Sequence, residues 1–472
     1  MVTRFGMIGL GTMGRNFVLN IADHGFSVCG YDRDETQRNR LQQEATGKPV
    51  TIAASASDLV QQLQTPRIIM FLVPAGKIVD AVINELLPQL QKGDILIDGG
   101  NSHYIDTEQR YNTLQKSGIH FMGMGVSGGE EGARYGPSMM PGGTETCYEL
   151  IKNILEAIAA KAPDGQPCVA YMGHDAAGHY VKMVHNGIEY AVMQMISEVY
   201  SVLKNAGYSN KELHELFTTW NNAELESFLV EITAKIFSVK DPETGSDLID
   251  MILDKAKQKG TGLWTSQSAL ELNVPVPAID VSVSMRYMSS LKTERQQLSK
   301  FYEHHKIQSV FTKEQLANIC KDALHFSIMM AYGQGIELLE LASKELGFES
   351  DIKTIIKVWR AGCIIRSALL NDLYKAYDKE PGLQNIIASQ VFIPVLSEKR
   401  PQLVKFITTA MSAGLPVAAN AAALNYFDAY TLSSMPANLI QAQRDFFGAH
   451  TYERIDKAGA FHTNWNQNTQ NS

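Results

Sequence analysis

Along the first third of the chain, short apolar runs of β type alternate with segments of helical periodicity. The apolar runs are 5-FGMIGL-10, 26-FSVCGYD-32, 67-RIIMFLV-73, 94-DILIDGG-100 and 120-HFMGMGVSG-128, and a helix follows the first of them to about residue 23. Such alternation predicts βαβ units and a mostly parallel sheet. The loop 163-PDGQPC-168 and the strand-like 168-CVAYMG-173 close this region. From about residue 177 the pattern changes to long helical periodicity with few β-branched runs, which predicts a second, all-helical domain. The expected organisation is an α/β domain over 1–176, a large all-α domain over 177–434 and a C-terminal tail over 435–472.

Within the helical part, 206-AGYSNKELHELFTTW-220 echoes 346-LGFESDIKTIIKVW-359, each after a long apolar helix, which reads as a duplicated helical unit or a chance likeness. The end of the tail, 456-DKAGAFHTNWNQNTQNS-472, is polar and rich in Asn; it either frays or docks, and Phe461 and Trp465 favour docking.

One helix departs from the usual amphipathic pattern. In 178-GHYVKMVHNGIEYAVMQ-194, Lys182, His185, Asn186, Glu189 and Tyr190 fall at i, i+3, i+4, i+7 and i+8, on one face. Their neighbours Val181, Met183, Val184, Ile188, Ala191 and Val192 are apolar, so most of the cylinder needs burial. The bland reading is a water-facing stripe. An acid, two bases and two hydrogen-bonding groups within nine residues read instead as the wall of a cavity. There, burial and nearby cations depress the Lys182 ammonium towards use as a general base, while Glu189 tends to stay protonated as an acid.

Composition narrows the field. A chain of 472 residues is long enough for two or three domains. With 19% charged residues and a net charge of −8, it has no footprint for nucleic acid or an anionic membrane, although a local pocket for a small anion stays open. Cys29, Cys147, Cys168, Cys320 and Cys363 are odd in number and have no metal-ligand spacing, so they read as reduced thiols in a cytoplasmic protein without a zinc site. The N-terminus lacks the features of a secretory signal, and no apolar stretch is long enough to span a membrane.

After the first strand, 9-GLGTMG-14 opens a helix. Gly9 permits the tight turn, Gly11 lets backbone approach a pyrophosphate and Gly14 lets helix and strand pack, with Leu10, Thr12 and Met13 between them. This reads as a Rossmann-type site for a nicotinamide dinucleotide, with the phosphate at a helix N-terminus. Asp32 ends the second strand, where a carboxylate binds a ribose 2′-hydroxyl and repels a 2′-phosphate. Arg33 stacks on adenine or holds a 2′-phosphate, and Asp34 brings no hydroxyl, so charge alone favours NAD or dual use over strict NADP. Two more glycine-rich segments carry candidate chemistry. Ser127 with the Gly128 and Gly129 amides would form a nest for an anion. Lys259 and Thr261 in 257-KQKGTGLW-264 suit a phosphate. Each alone could be a plain turn.

Taken together, 9-GLGTMG-14, 125-GVSGGEEGARYGPSMMPGG-143, 182-KMVHNGIEY-190, 254-DKAKQKGTGLW-264 and 444-RDFFGAHTYE-453 resemble the decarboxylating 6-phosphogluconate dehydrogenase family of the oxidative pentose phosphate pathway. The likeness runs from residue 1 to about 470. It implies oxidation of 6-phospho-D-gluconate at C3 by hydride transfer to NAD or NADP, loss of CO2 and tautomerisation to D-ribulose 5-phosphate, without metal. By the resemblance, Lys182 is the base at the C3 hydroxyl, and Glu189 protonates C1 of the enediol. Asn101, Ser127, Gly128, Gly129, His185 and Asn186 match positions holding the sugar acid; Tyr190, Lys259, Thr261 and Arg286 match the phosphate side. Val73, Pro74, Ala75 and Asn101 match positions on the cofactor side. Arg444 and His450 resemble residues that enter the site from the other subunit, which implies a homodimer, and Phe461, His462 and Trp465 resemble the segment that threads into it.

The sequence also departs from the family. NADP-using members usually carry Asn-Arg-Thr or Asn-Arg-Ser at 32–34, Ala at 11 and Lys at 74, where this chain has Asp32-Arg33-Asp34, Gly11 and Pro74. Lys257 stands where Gly or Ala is usual, with no functional account from sequence. Two other readings stay open: a related β-hydroxyacid dehydrogenase for a non-phosphorylated sugar acid, and a silent NAD-binding protein.

Overall fold

Six short strands, β1 (Phe5–Ile8), β2 (Val28–Tyr31), β3 (Val50–Ile52), β4 (Ile68–Phe71), β5 (Ile95–Asp98) and β6 (His120–Ser127), pair in parallel, and β7 (Ser138–Pro141) runs antiparallel to β6. The order across the sheet is β3-β2-β1-β4-β5-β6-β7. In this computed structural model, which describes residues 3–302, 305–307 and 310–466, the chain forms two compact units, 1–424 and 425–472. The crossovers are α1 (Thr12–Asp23), α2 (Glu35–Glu44), α3 (Ala56–Gln62), α4 (Lys77–Leu86) and α5 (Tyr104–Gln115); α6 (Gly129–Tyr135) joins β6 to β7, and α7 (Glu145–Ile158) follows. Strands this apolar suit a sheet covered on both faces. Alternate residues of β4 and β5 divide accordingly: Ile68, Met70, Ile95 and Ile97 enter one core, while Ile69, Phe71 and Leu96 enter the other. Since β1 lies between β2 and β4, the chain leaves β1 at the point where strand order reverses, and a crevice opens there.

The mostly parallel sheet followed by helices is as expected, but one strand is not. Residues 168–173 make a single bridge, Val169 to Met139, in place of a strand. The segment runs beside β7 only as far as the Met172 N–H bond to the Pro141 carbonyl, then turns at Gly173 (φ 125°) towards the next helix.

The helices continue with α8 (Ala177–Asn205), α9 (Asn210–Asn221), α10 (Phe228–Ser238), α11 (Leu248–Met251), α12 (Thr261–Glu271), α13 (Pro277–Ser290), α14 (Lys292–Leu298), α15 (Lys313–Glu345), α16 (Ile352–Trp359), α17 (Leu369–Lys379) and α18 (Ile393–Ser412). The echoed segments are the short helices α9 and α16, capped by Ser209 and Asp351 and each following a long helix. Of the expected helical part, 425–434 fall in the second unit, while the expected α/β part, 1–176, and the expected helical part up to residue 424 lie in the first unit. α8 is at its centre, packed by α15, α12 and α13 and lying against β6. Its buried residues occupy every side. Each fully buried Val, Ile or Met there contributes about 1.5–3 kcal/mol, enough together to offset the desolvation of the polar groups among them.

Helix α19 (Ala418–Thr431) follows α18 in the chain. The second unit contains α20 (Ala437–Gly448) and a hairpin of β8 (Tyr452–Glu453) with β9 (Ala460–Phe461). Asp445, fully buried, is its polar centre: it accepts from Thr451 N, His462 Nδ1, Thr463 N and Trp465 Nε1 at 2.9–3.1 Å. Residues 467–472 of the expected tail lie outside the described residues. Among the described residues, no helix is long and apolar enough to cross a membrane, and no group of three or more His, Cys, Asp or Glu could hold a metal ion.

Candidate active site

Strand β6 carries Gly123, Gly125 and Ser127 at alternate positions, all on the face that meets α8. With no side chain at 123 and 125, the helix lies directly on the strand. A Cβ at Gly123 would meet the His179 ring at 2.8 Å, and one at Gly178 on the helix would meet the Gly123 carbonyl at 2.2 Å. This contact sets the depth of Lys182, which is 6% exposed. Burial pushes the Lys182 ammonium below its ordinary range, and Glu189 only partly restores it.

His185, fully buried next to Lys182, stays neutral because burial and the lysine charge hold its pKa well down. Its Nδ1 lies 3.3 Å from Lys182 Nζ and 3.0 Å from Asn186 Oδ1, and its Nε2 lies 3.2 Å from Ser127 Oγ. The Asn186 amide donates through Nδ2 to Thr261 Oγ1 at 3.2 Å. That orientation turns Oδ1 to His185, so Nδ1–H donates and Nε2 accepts the Ser127 hydroxyl. Glu189, largely buried with its Oε2 3.9 Å from His185, is raised by burial against the pull of Lys182 and Arg286. Lys182 is therefore biased towards a free amine and Glu189 towards a protonated acid, the pairing expected for base and acid roles.

Tyr190 completes the stripe between a glycine and a cation. Its ring sits where a Gly262 side chain would be, and the Arg286 guanidinium lies 3.4 Å from the ring centroid. Arg286 Nη1 donates to the Lys257 carbonyl at 3.1 Å, so the main chain at Lys257 fixes the arginine whatever the side chain is. Gly260 adopts φ 98° at the start of α12, with Trp264 packed beneath it, and Trp264 meets His103 edge-on at 4.7 Å. Lys259 and Thr261 flank that turn. His103 follows Asn101 after the end of β5, so the KGTG turn and the Asn101 loop are joined through the Trp264–His103 contact.

Under Asn101 lies a network that sequence reasoning missed. His179 Nε2 donates to the Asp98 carbonyl at 3.1 Å, which makes Nδ1 the acceptor for the Thr107 hydroxyl at 2.6 Å. Asp98 accepts from Gly100 N and Ser102 Oγ. Arg110 Nη1 stands 3.7 Å from Asp98, while its other nitrogens donate to Asp80 at 2.7 Å and to the Gly76 carbonyl at 3.2 Å, immediately after Val73-Pro74-Ala75. Also missed was 359-WRAGCII-365. Trp359 lies edge-on to His185 at 5.8 Å, Ile364 N–H reaches Ser127 Oγ at 3.4 Å, and the Gly362 carbonyl would meet a Cβ on Gly128 at 2.5 Å. Gly128 and Gly129 have φ 125° and 63°. The only sequence signal for this wall was a glycine just past a short helix.

At the other end of the crevice, Gly9 (φ 90°) and Gly14 pack so closely that a Cβ on Gly14 would stand 1.8 Å from the Gly9 carbonyl, while Gly11 faces open space. Gly11 precedes Thr12 and Met13 at the start of α1, and the neighbouring pocket of about 290 Å³ is lined by Gly9, Gly11, Asp32, Arg33, Val73 and Pro74 among others. The glycine cradle and exposed amides fit a dinucleotide pyrophosphate. Asp32 does more than line the pocket: Oδ2 accepts from Leu10 N at 2.6 Å and Oδ1 from Asp34 N at 2.9 Å. Asp34 caps α2 by accepting from Thr36 N at 2.8 Å, so it also has a structural role. Arg444 and His450 lie in the second unit, at the end of α20 and just beyond it; Arg444 donates to Gln441 and the His450 ring meets Phe447.

Comparison with known proteins matches residues 4–173 to the NAD binding domain of 6-phosphogluconate dehydrogenase and 178–465 to the 6-phosphogluconate dehydrogenase C-terminal domain. The chain is 51% identical to the NADP(+)-dependent, decarboxylating 6-phosphogluconate dehydrogenase of Bacillus subtilis, over 98% of this chain and 99% of that one. It is 45% identical to decarboxylating 6-phosphogluconate dehydrogenase 1 of Saccharomyces cerevisiae, over 98% and 96%. The solved Plasmodium falciparum 6-phosphogluconate dehydrogenase, studied as apo form and with NADP+ and 6-phosphogluconate, superposes with a TM-score of 0.94 at 39% identity, covering 98% of this chain and all of that one.

Proposed function

The chain belongs to the 6-phosphogluconate dehydrogenase family, and on that premise we propose that it oxidises and decarboxylates 6-phospho-D-gluconate to D-ribulose 5-phosphate and CO2. The observation that carries this reading is the buried face of α8, with a lysine biased to the amine and a carboxylic acid biased to the protonated form. A nicotinamide dinucleotide, held by the Gly9–Gly14 loop and the Val73–Ala75 segment, supplies the hydride acceptor when bound. Lys182 takes the C3 hydroxyl proton as the C3 hydride leaves. As an ammonium it then polarises the C3 ketone, and this electron sink lets the C1 carboxylate depart as CO2 with no metal. The Lys182 ammonium returns its proton to the C3 oxygen as the enediol forms and takes it back as Glu189 delivers a proton to the former C2, which becomes C1 of D-ribulose 5-phosphate. Asn101, Ser127, the Gly128 and Gly129 amides, His185 and Asn186 hold the sugar acid; Tyr190, Lys259, Thr261 and Arg286 hold its phosphate.

The cofactor reading is NAD or dual use, although the family inclines to NADP and the Bacillus subtilis relative is named for it. Asp32 and Asp34 support NAD through their charge next to the pocket. A homodimer forms part of the proposal, with Arg444 and His450 of each chain completing the other's site. The exposed apolar residues Leu439, Ile440, Phe446 and Phe447 of α20 support a partner for that helix. Five buried, unpaired cysteines support a reducing, cytoplasmic setting. The test is a steady-state assay with 6-phosphogluconate or gluconate and NAD or NADP, following reduced cofactor and CO2. The expected result is one CO2 per reduced cofactor with the phosphorylated substrate; a preference for gluconate, or reduction without CO2, sinks the reading.

A further inference from the structure

The pocket at the end of β2 has a second wall, α4, which presents Ile78, Val82 and Glu85 to it. These fall at i, i+4 and i+7, one face of the helix, so an apolar stripe ends in a carboxylate opposite Asp32 and Arg33. Arg33 Nη2 donates to Glu85 Oε2 at 2.7 Å, and the pair is open to solvent, with side chains 69% and 40% exposed. The neighbouring cation, Arg38, is already engaged: Nη1 donates to the Asp32 carbonyl at 2.6 Å and to the Arg33 carbonyl at 3.2 Å. Three carboxylates, Asp32, Asp34 and Glu85, thus accompany two guanidiniums at this edge, and both guanidiniums have partners.

We propose that Glu85 is a cofactor-discriminating residue: by pairing with Arg33 it keeps that guanidinium from a 2′-phosphate on the adenosine ribose and so favours NAD. The inference rests on the dinucleotide reading above. A ribose 2′-phosphate needs a guanidinium, and Arg33 can serve it only by leaving Glu85. An exposed pair is weak, so Arg33 is discouraged from the phosphate without being locked away from it. That limits the effect to about three- to tenfold and fits partial, not absolute, discrimination.

The test compares Glu85→Gln with the unaltered protein, measuring kcat/KM with NAD and NADP and the Kd of NADH and NADPH by fluorescence. Glutamine keeps the length and removes the charge at an exposed site, so folding is retained. The NADP:NAD ratio is expected to rise about three- to tenfold, with tighter NADPH binding. Adding Arg33→Ala to Glu85→Gln is expected to cancel the rise. An unchanged ratio in Glu85→Gln overturns the proposal, and so does a raised ratio that survives Arg33→Ala. The ratio of the unaltered protein separately tests the NAD reading: if NADP is strongly preferred from the start, that reading fails while the change caused by Glu85→Gln is still measured.

Discussion

A Cβ on Gly125 would stand 2.4 Å from the Cβ of Lys182, so the helix that carries the lysine fills the space a side chain on β6 would need. The atom it would meet is at the root of the lysine side chain, which cannot swing aside without moving α8. Gly125→Ala is expected to cost about 1–3 kcal/mol through overpacking. It should also lower kcat by about a hundredfold through displacement of the base. Circular dichroism and a thermal melt separate the two effects; a folded variant with full kcat refutes the link between glycine and lysine position.

Lys182→Met and Glu189→Gln should each leave folding and dinucleotide binding intact while lowering kcat by about 10²- to 10⁴-fold. The signs of their pH dependence are opposite. In the proposed mechanism Lys182 works as the amine, so activity should fall as pH drops through its pKa, which burial sets below the ordinary 10.5. In the same mechanism Glu189 works as the acid, so activity should fall as pH rises through its pKa, which burial sets above 4.5. The pH profile of kcat/KM for the parent should therefore be bell-shaped, and Glu189→Gln should lose the alkaline limb. A limb that persists in Glu189→Gln assigns it to another group.

That these two residues share a helix face was legible in the sequence because helix geometry converts spacing into a face: i, i+3, i+4, i+7 and i+8 needed only the helix to be real. The parallel sheet and the glycine cradle were legible for the same local reason. The 359–365 wall was not, since Ser127 meets Ile364 across 237 positions and no local pattern encodes that pairing. The segment 168–173 misled because its residues favour a strand, while its register beside β7 lasts for a single bridge. Asp34 was read for its charge, yet the same residue is the N-cap that Asp followed by Glu-Thr should have suggested.

Asp32→Asn with Asp34→Thr is expected to raise the NADP:NAD ratio of kcat/KM by about tenfold through loss of two negative charges at the pocket edge. The fold should tolerate both changes. Threonine still caps α2, and the asparagine oxygen still accepts from Leu10 N, although one of the two Asp32 bonds is lost. An unchanged ratio means that these carboxylates act only on the backbone.

Arg110→Gln should weaken the cofactor side without touching the chemistry. The guanidinium, 7% exposed, ties the Gly76 carbonyl at the start of α4 to the neighbourhood of the fully buried Asp98. Removing it takes a cation from beside the Asp98 carboxylate, which keeps its bonds from Gly100 N and Ser102 Oγ, at a cost of about 1–3 kcal/mol. The KM for dinucleotide should rise several-fold while kcat at saturation changes little. Equal losses in both would mean that Arg110 acts through general unfolding.

Asp445 makes the tail sensitive to acid. Burial alone would raise its pKa, but bonds from His462, Thr463 and Trp465 outweigh that and hold it at about 2, below the ordinary 3.8. A carboxylate with a depressed folded pKa stabilises the structure above its unfolded pKa, and that stability is lost as pH falls from about 4 towards 2. Because Trp465 Nε1 donates directly to Asp445 at 2.9 Å, its fluorescence reports the release. The difference in emission between the parent and Trp465→Phe, followed from pH 6 to pH 2, should show a transition in that window, and Asp445→Asn should show the released signal already at neutral pH. If Asp445→Asn titrates like the parent, the carboxylate does not hold the β8–β9 hairpin to α20.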